Sequence, residues 1–151
     1  MRDGILIGVD AGTSVIKSIA FTTAGEQIAS AAIPNAYVTL ANAGVEQDMA
    51  RTWRDAAATL KQLTEKIPDL ASRVIAISVT GQGDGTWLID KAGEPVAPAW
   101  LWLDARAAAI AESFTRHPGY AEHYKRTGTG VNACQMSTHL AWLKQLQTEI
   151  L

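Results

Sequence analysis

The 151-residue chain has a single cysteine, Cys134, so it forms no internal disulfide and suits a reducing compartment. It lacks an apolar run near the ~20 residues that a membrane-spanning helix needs. It also lacks a signal-peptide pattern, because Asp10 interrupts the first apolar run. The formal net charge of -2 leaves no basic excess, which argues against nucleic acid as a main partner. We therefore expect a cytoplasmic protein that binds neither membranes nor nucleic acid.

Hydrophobic residues make up 48% of the chain and charged residues 19%, which is typical of a single globular domain with a buried core. The first half predicts strands over residues 5–10, 15–21 and 27–33, a loop over 34–47, and a buried strand over 74–79. Between the loop and the last strand, Asp48 is a good N-cap for a helix. The helix face predicted to be buried consists of Met49, Trp53, Ala56, Leu60, Leu63 and Ile67. This order predicts an α/β fold with a mixed sheet and a helix on one face.

The second half predicts a short strand over residues 86–90 and helices over 105–114 and 119–126. Asp104 is expected to cap the first of these helices. A last helix is expected from Thr138 onward, capped by Ser137. Its apolar stripe predicts self-association into a homo-oligomer, and the residues concerned are Leu140, Leu143, Leu146 and Ile150.

Residues 8–17, Gly-Val-Asp-Ala-Gly-Thr-Ser-Val-Ile-Lys, join two apolar runs through a tight polar turn. A glycine lets the backbone approach a ligand, and successive N–H groups in such a turn bind anions. Hydroxyls and a lysine add further donors to phosphate oxygens. A carboxylate at the end of the first strand suits a hydrated Mg²⁺ ion. An ordinary hairpin turn has similar residues, so a phosphate site and a simple turn are both open here.

Two further segments suggest a polyol site. Residues 80–86, Thr-Gly-Gln-Gly-Asp-Gly-Thr, follow the predicted buried strand, and ligands bind at the carboxyl ends of strands in open α/β sheets. Residues 100–106, Trp-Leu-Trp-Leu-Asp-Ala-Arg, place aromatic side chains beside a carboxylate and a guanidinium. The alternatives are a glycine-rich turn for the first segment, and core tryptophans with a helix cap and a surface arginine for the second.

The three segments, in this order, resemble the motifs of the FGGY carbohydrate kinases, which belong to the actin/hexokinase superfamily. The resemblance implies a ribonuclease H-like fold, with residues 1–151 forming the N-terminal part of the first domain as an incomplete lobe. It implies ATP and Mg²⁺ as cofactors, with Asp10 positioning the metal. The implied phosphate-binding residues are Gly12, Thr13, Ser14 and Lys17, and the implied substrate-binding residues are Gln82, Asp84, Asp104 and Arg106.

The glycine-rich loop is most similar to that of erythritol-type members, and next to that of xylulose-type members. Glycerol-type members carry an Arg-Glu pair where this chain has Gly83 and Asp84, so the resemblance implies a small polyol or ketose and favours glycerol less than the others. In the family, the catalytic-base aspartate and the adenosine pocket lie further along than residue 151. We therefore expect this stretch alone to be inactive. The alternatives are a half-lobe that binds a sugar or a partner without turnover, and another ATPase of the superfamily.

Overall fold

A computed structural model describes residues 4–147 and residue 150, so the ends of the predicted domain, residues 1–3 and 151, lie outside it. The chain divides into two compact units: Met1–Tyr37 with Asp48–Gln82, and Val38–Gln47 with Gly83–Leu151. Among the described residues, none of the helices is both long enough and apolar enough to cross a membrane. The elements in chain order are β1 (Ile5–Ala11), β2 (Val15–Thr22), β3 (Gln27–Pro34), β4 (Val38–Thr39), β5 (Val45–Gln47), α1 (Met49–Lys66), α2 (Leu70–Arg73), β6 (Val74–Gly81), β7 (Gly85–Thr86), β8 (Ala99–Leu101), α3 (Ala108–Thr115), α4 (Tyr120–Thr127) and α5 (Met136–Leu146).

The first unit contains the mixed sheet expected from the sequence, in the order β3-β2-β1-β6. The pairs β1–β2 and β2–β3 are antiparallel, whereas β6 runs parallel to β1 after the α1 crossover. The turn between β2 and β3 needs Gly25, whose φ of 87° lies in the left-handed region. Asp48 caps α1 as predicted, because its side chain accepts a hydrogen bond from the Arg51 amide.

The core of the first unit forms where alternate side chains of β1 meet α1 and α2. One face prediction for α1 is wrong, since Trp53 is 76% exposed. The buried residues of the helix are Thr52, Thr59 and Leu63. Thr59 is accommodated because its Oγ1 lies 2.7 Å from Oγ of Ser18 on β2. A search for apolar residues at helical spacing missed this face because two of its members are threonines.

Strand β6 is present, but its predicted burial is wrong. Ile75, Ile77 and Val79 are 63%, 53% and 71% exposed. Within the described part of the chain, β6 pairs only with β1 and so forms an edge of the sheet. A continuous β-branched run indicates a strand suited to being covered on both faces. The β-branched run therefore predicted strand β6 correctly but did not predict that its side chains are exposed.

The second unit contains a small antiparallel sheet in the order β4-β5-β8-β7. Two of its strands lie inside residues 34–47, so the loop predicted there is wrong. These strands are two and three residues long, too short to show a hydrophobic period. The strand predicted over residues 86–90 is reduced to β7, followed by an isolated bridge between Ile89 and Pro95.

Two helix starts in the second unit differ from the predictions. Helix α3 begins at Ala108 rather than at residue 105, and Asp104 makes other contacts instead of capping it. Helix α5 begins at Met136, so the predicted cap Ser137 lies inside its first turn. Leu143 is buried as expected, whereas Leu146 is 64% exposed. The short helix α4 agrees with its prediction.

Candidate phosphate and substrate sites

The polar turn between β1 and β2 aligns three side chains across neighbouring strands. Asp10 of β1 pairs with Lys17 of the antiparallel β2 and with Thr80 of the parallel β6. All three side chains are exposed. Directly opposed residues in an antiparallel pair have Cβ atoms about 5 Å apart, so the carboxylate and the ammonium are neighbours on one face. Thr80 is a member of this row that spacing alone did not single out.

Gly12 lets the turn close beside the Asp10 carboxylate. A Cβ at position 12 would lie 2.8 Å from the carbonyl oxygen of Val15 and 3.7 and 3.9 Å from Oδ1 and Oδ2 of Asp10. Such a Cβ would also fill the space through which a ligand reaches the backbone of the turn. The glycine is therefore required by the local packing and leaves an open approach to the carboxylate.

Asn35, at the end of β3, holds the same turn from its other side. Its Nδ2 donates to the carbonyl oxygen of Gly12 at 3.0 Å, and its backbone N–H donates to the carbonyl oxygen of Ser14 at 2.8 Å. The sequence analysis missed this residue because it placed position 35 in a loop. An asparagine directly after a strand was the available signal, since its side chain readily bonds nearby backbone.

The residues of the turn fit a phosphate chain with its Mg²⁺ ion. An exposed carboxylate keeps its water shell, and Mg²⁺ is usually bound through one or two carboxylates while retaining several waters. The hydroxyls of Thr13 and Ser14 are donors of the type that binds phosphate oxygens, and Lys17 adds a point charge next to Asp10. This donor set favours a hydrated Mg²⁺–phosphate group over a tightly caged metal. Among the described residues, no group of three or more His, Cys, Asp or Glu side chains is placed to hold a metal ion.

The four predicted substrate residues fall in different parts of the fold. Gln82 closes the first unit directly after β6, whereas Asp84, Asp104 and Arg106 belong to the second unit. Asp84 is exposed and precedes β7. Gly85 has a φ of 116°, and a Cβ there would collide with the carbonyl oxygen of Trp100. The backbone after Asp84 is therefore tightly constrained.

Asp104 and Arg106 form a buried ion pair that joins two strands of the second unit. The Asp104 side chain is 0% exposed and that of Arg106 is 4% exposed. Oδ2 of Asp104 accepts a hydrogen bond from the Val45 amide at 2.7 Å and contacts the Arg106 guanidinium at 2.9 Å. Its Oδ1 accepts from the Arg106 amide at 3.0 Å. Because both oxygens are engaged, this geometry favours a supporting role for Asp104 over direct contact with a ligand.

Arg106 has further partners that fix its guanidinium in place. Its outer nitrogen lies 2.8 Å from Oε1 of Glu46 on β5. The guanidinium carbon also stacks 3.8 Å from the ring centre of Trp100 and lies 5.7 Å from that of Trp142. Trp100 is buried in this contact, whereas Trp102 is half exposed. Of the two tryptophans in the predicted aromatic wall, Trp102 is the one open to a ligand.

The cluster extends to His139 on α5, a residue outside the three sequence motifs. Its ring is fully buried, and Nδ1 lies 2.8 Å from Oγ1 of Thr86. Burial lowers the pKa of His139; the Asp104 carboxylate opposes this shift and the Arg106 guanidinium adds to it. Burial raises the pKa of the Cys134 thiol, and the nearby carboxylate of Asp84 adds to that increase. Both groups are therefore neutral at neutral pH.

Residues 5–151 match the N-terminal domain of the FGGY family of carbohydrate kinases. The chain belongs to this family. It is 48% identical over 150 residues to erythritol kinase of Brucella abortus, covering 99% of this chain and 29% of that protein. It is 33% identical over 147 residues to xylulose kinase of Streptomyces coelicolor, covering 96% of this chain and 29% of that protein.

The fold agrees with this FGGY membership. The crystal structure of xylulose kinase from Rhodospirillum rubrum superposes with a TM-score of 0.90 at 24% identity, over 97% of this chain and 30% of that one. At this identity the likeness establishes the fold, which confirms the predicted α/β class with its ribonuclease H-like mixed sheet. The chain spans less than a third of the length of these FGGY relatives.

Proposed function

We propose that the protein transfers the γ-phosphoryl group of ATP to a hydroxyl group of a small sugar alcohol or ketose, with erythritol as the first candidate. The proposal rests on the row of Asp10, Lys17 and Thr80 at the glycine turn of an FGGY chain. The 48% identity to an erythritol kinase favours a four-carbon polyol. The proposed activity is that of the protein at the full length that its gene encodes.

In this proposal the hairpin turn binds the phosphate chain. Asp10 holds the hydrated Mg²⁺ ion, which when bound neutralises charge on the transferring phosphoryl group. The backbone amides near Gly12 and the hydroxyls of Thr13 and Ser14 donate to the γ-phosphate oxygens, and Lys17 supplies positive charge. Phosphoryl transfer depends mainly on positioning and electrostatics, which these groups supply.

The polyol is recognised by Gln82 and Asp84. A carboxylate accepts hydrogen bonds from two hydroxyls, and an amide both donates and accepts. Trp102 offers an apolar surface to the C–H groups of the ligand. We place Asp104 and Arg106 behind this surface, because their ion pair fixes β5 and the segment after β8.

The decisive experiment measures product formation with ATP, Mg²⁺ and a panel of erythritol, xylulose, ribulose and glycerol. The gene product at its full encoded length and its Asp10→Asn variant are compared. We expect phosphorylation of one acceptor and a loss of about 100-fold or more in the variant, the scale seen when one transition-state contact is removed. Asp55→Asn is the matched control, because Asp55 pairs with the neighbouring Arg51 on α1 and lies outside the three sequence motifs.

Three outcomes of this experiment would contradict the proposal. Near-normal turnover of Asp10→Asn would remove the metal-positioning role. Saturable polyol binding without any phosphorylated product would indicate the alternative, a half-lobe that binds a sugar or a partner chain without turnover. Hydrolysis of ATP that is independent of every acceptor would indicate another ATPase of the superfamily.

The proposal also includes a cytoplasmic location and self-association into a homo-oligomer. Support for association comes from the exposed apolar side chains of Ile75, Ile77 and Val79 on β6. Exposed apolar patches of this kind mark interaction surfaces. Sedimentation of the full-length product at two concentrations tests association, and a concentration-independent monomer would contradict it.

A further inference from the structure

His139 is a buried titratable group that the proposed function does not use. It lies on α5 with none of its surface exposed. Its hydrogen bond to Thr86 links two segments that are 53 positions apart in the sequence. Thr86 is itself 3% exposed and follows Asp84 by two residues. The bond therefore ties a helix to the short strand that carries the proposed substrate loop.

Within the part of the chain that the structure describes, the backbone after Asp84 is held by a short β-ladder. Strand β7 has only two residues, Gly85 and Thr86, which pair with Leu101 and Trp100 of β8. The left-handed backbone of Gly85 fixes the direction in which the chain leaves Asp84. A β-ladder of two residues contributes little stability of its own. The side chain of Thr86 adds a buried hydrogen bond to His139, which holds β7 against α5.

The surroundings of His139 indicate which group donates in this hydrogen bond. Within the described residues, Nε2 has no hydrogen-bond partner and lies 3.7 Å from Oδ1 of Asp104. A proton on Nε2 points at this carboxylate, which leaves Nδ1 to accept from the Thr86 hydroxyl. The ring also meets Trp100 edge-on at 5.0 Å between centres, so it cannot turn freely.

We propose that His139 is a positioning residue for the substrate loop: by accepting the Thr86 hydroxyl proton it fixes Gly85–Thr86 and thereby the carboxylate of Asp84. This inference rests on the proposed function, since it assigns Asp84 to the substrate. It adds a residue on a distant helix that controls substrate affinity without touching the substrate. The tautomer of His139 therefore contributes to substrate specificity, because it determines whether Nδ1 can accept from Thr86.

The test compares two ways of removing the bond in the full-length gene product. His139→Phe removes the acceptor and keeps a ring, whereas Thr86→Val removes the hydroxyl and keeps the shape. Each should raise the KM for the polyol about tenfold, the equivalent of one buried hydrogen bond, with the KM for ATP unchanged. The double variant should be no worse than either single variant, because both remove the same interaction.

Two conservative variants sharpen the comparison. His139→Asn places an amide oxygen close to the position of Nδ1 and should restore most of the polyol affinity. His123→Asn changes an exposed histidine and serves as the control. Equal rises in both KM values, or His139→Asn behaving like His139→Phe, would overturn the positioning role in favour of a purely structural one.

Hydrogen exchange of residues 83–86 gives a readout that does not depend on activity. His139→Phe and Thr86→Val should both speed exchange there relative to His123→Asn. Unchanged exchange would refute the anchoring. Faster exchange with an unchanged polyol KM would refute the link to substrate binding. If the unaltered protein phosphorylates no acceptor, the proposed function fails, while the exchange comparison still decides the anchoring.

Discussion

The two units of this chain are stabilised by different kinds of interior. In the first, the buried side chains are mostly aliphatic, and its main buried polar contact is between Ser18 and Thr59. In the second, an ion pair, a histidine and two tryptophans share the interior around Asp104. An apolar core tolerates loss of volume gradually, whereas a buried charge cluster fails when one partner is lost. The following variants test this contrast.

The largest effect is expected from removing the cation of the second unit. Arg106→Ala leaves the Asp104 carboxylate buried without the guanidinium that neutralises it. We expect a loss of about 3–5 kcal/mol in the free energy of unfolding, measured by urea titration. Arg116→Ala is the control, because Arg116 forms an exposed pair with Glu112 on α3. Equal effects of the two variants would show that the buried pair contributes no more than a surface pair.

A smaller loss is expected from the core of the first unit. Leu63→Ala removes a fully buried side chain and should cost about 3 kcal/mol, from the lost burial and the cavity that remains. Trp53→Ala is the matched change on the exposed face of the same helix, expected within about 0.5 kcal/mol of the unaltered protein. A larger effect for Trp53 than for Leu63 would mean that the helix buries Trp53, as its spacing predicted.

The next effect concerns activity rather than stability. Asp84→Ala should lower the catalytic efficiency for the polyol by about 1–3 kcal/mol, because substrate hydroxyls lose their acceptor. The KM for ATP should not change, since the proposal assigns Asp84 to the polyol and the hairpin turn to the phosphates. Glu122→Gln on α4, an exposed site, is the control. An equal loss in ATP affinity would assign the loop to the nucleotide site.

The smallest effect is the contribution of His139 to the pH dependence of the free energy of unfolding. Its folded-state pKa is lowered by burial, with Asp104 and Arg106 as the charged groups that face it. As the pH falls through about 6.5, the unfolded chain binds a proton that the folded chain does not. The free energy of unfolding should therefore decrease as the pH decreases through this window. The decrease should be smaller in His139→Asn. Identical pH profiles for the two proteins would contradict the buried neutral imidazole.

The elements of the first unit could be predicted from sequence because its strands and helix are long enough to show a period. The three strands of the meander and the N-cap at Asp48 were confirmed within about a residue or two. The short strands β4 and β5 could not be predicted, because two or three residues carry no period. The buried face of α1 was partly missed, since Thr59 is buried through a hydrogen bond to a distant serine.

The site was predictable where residue type and local spacing decide it, as at the glycine turn. It was less so where distant segments meet. No spacing rule pairs Thr86 with His139, or places Glu46 and Trp100 on opposite sides of one guanidinium. The direct roles of Gln82, Asp84, Asp104 and Arg106 toward a substrate stay predictions. Because Asp104 is buried, we favour an indirect role for it, in support of the neighbouring residues, over direct contact with the substrate.

The interleaving of the two units along the chain has a consequence for folding. Val38–Gln47 belongs to the second unit although segments of the first flank it on both sides. Ile5 pairs with Val74 and Glu46 pairs with Trp100, so each sheet must close a long loop to be completed. Such non-local pairing slows folding, whereas the β1–β2 hairpin forms from neighbouring residues. During synthesis the turn that carries Asp10 is therefore made early, but its neighbour Thr80 joins it only after α1 has crossed over.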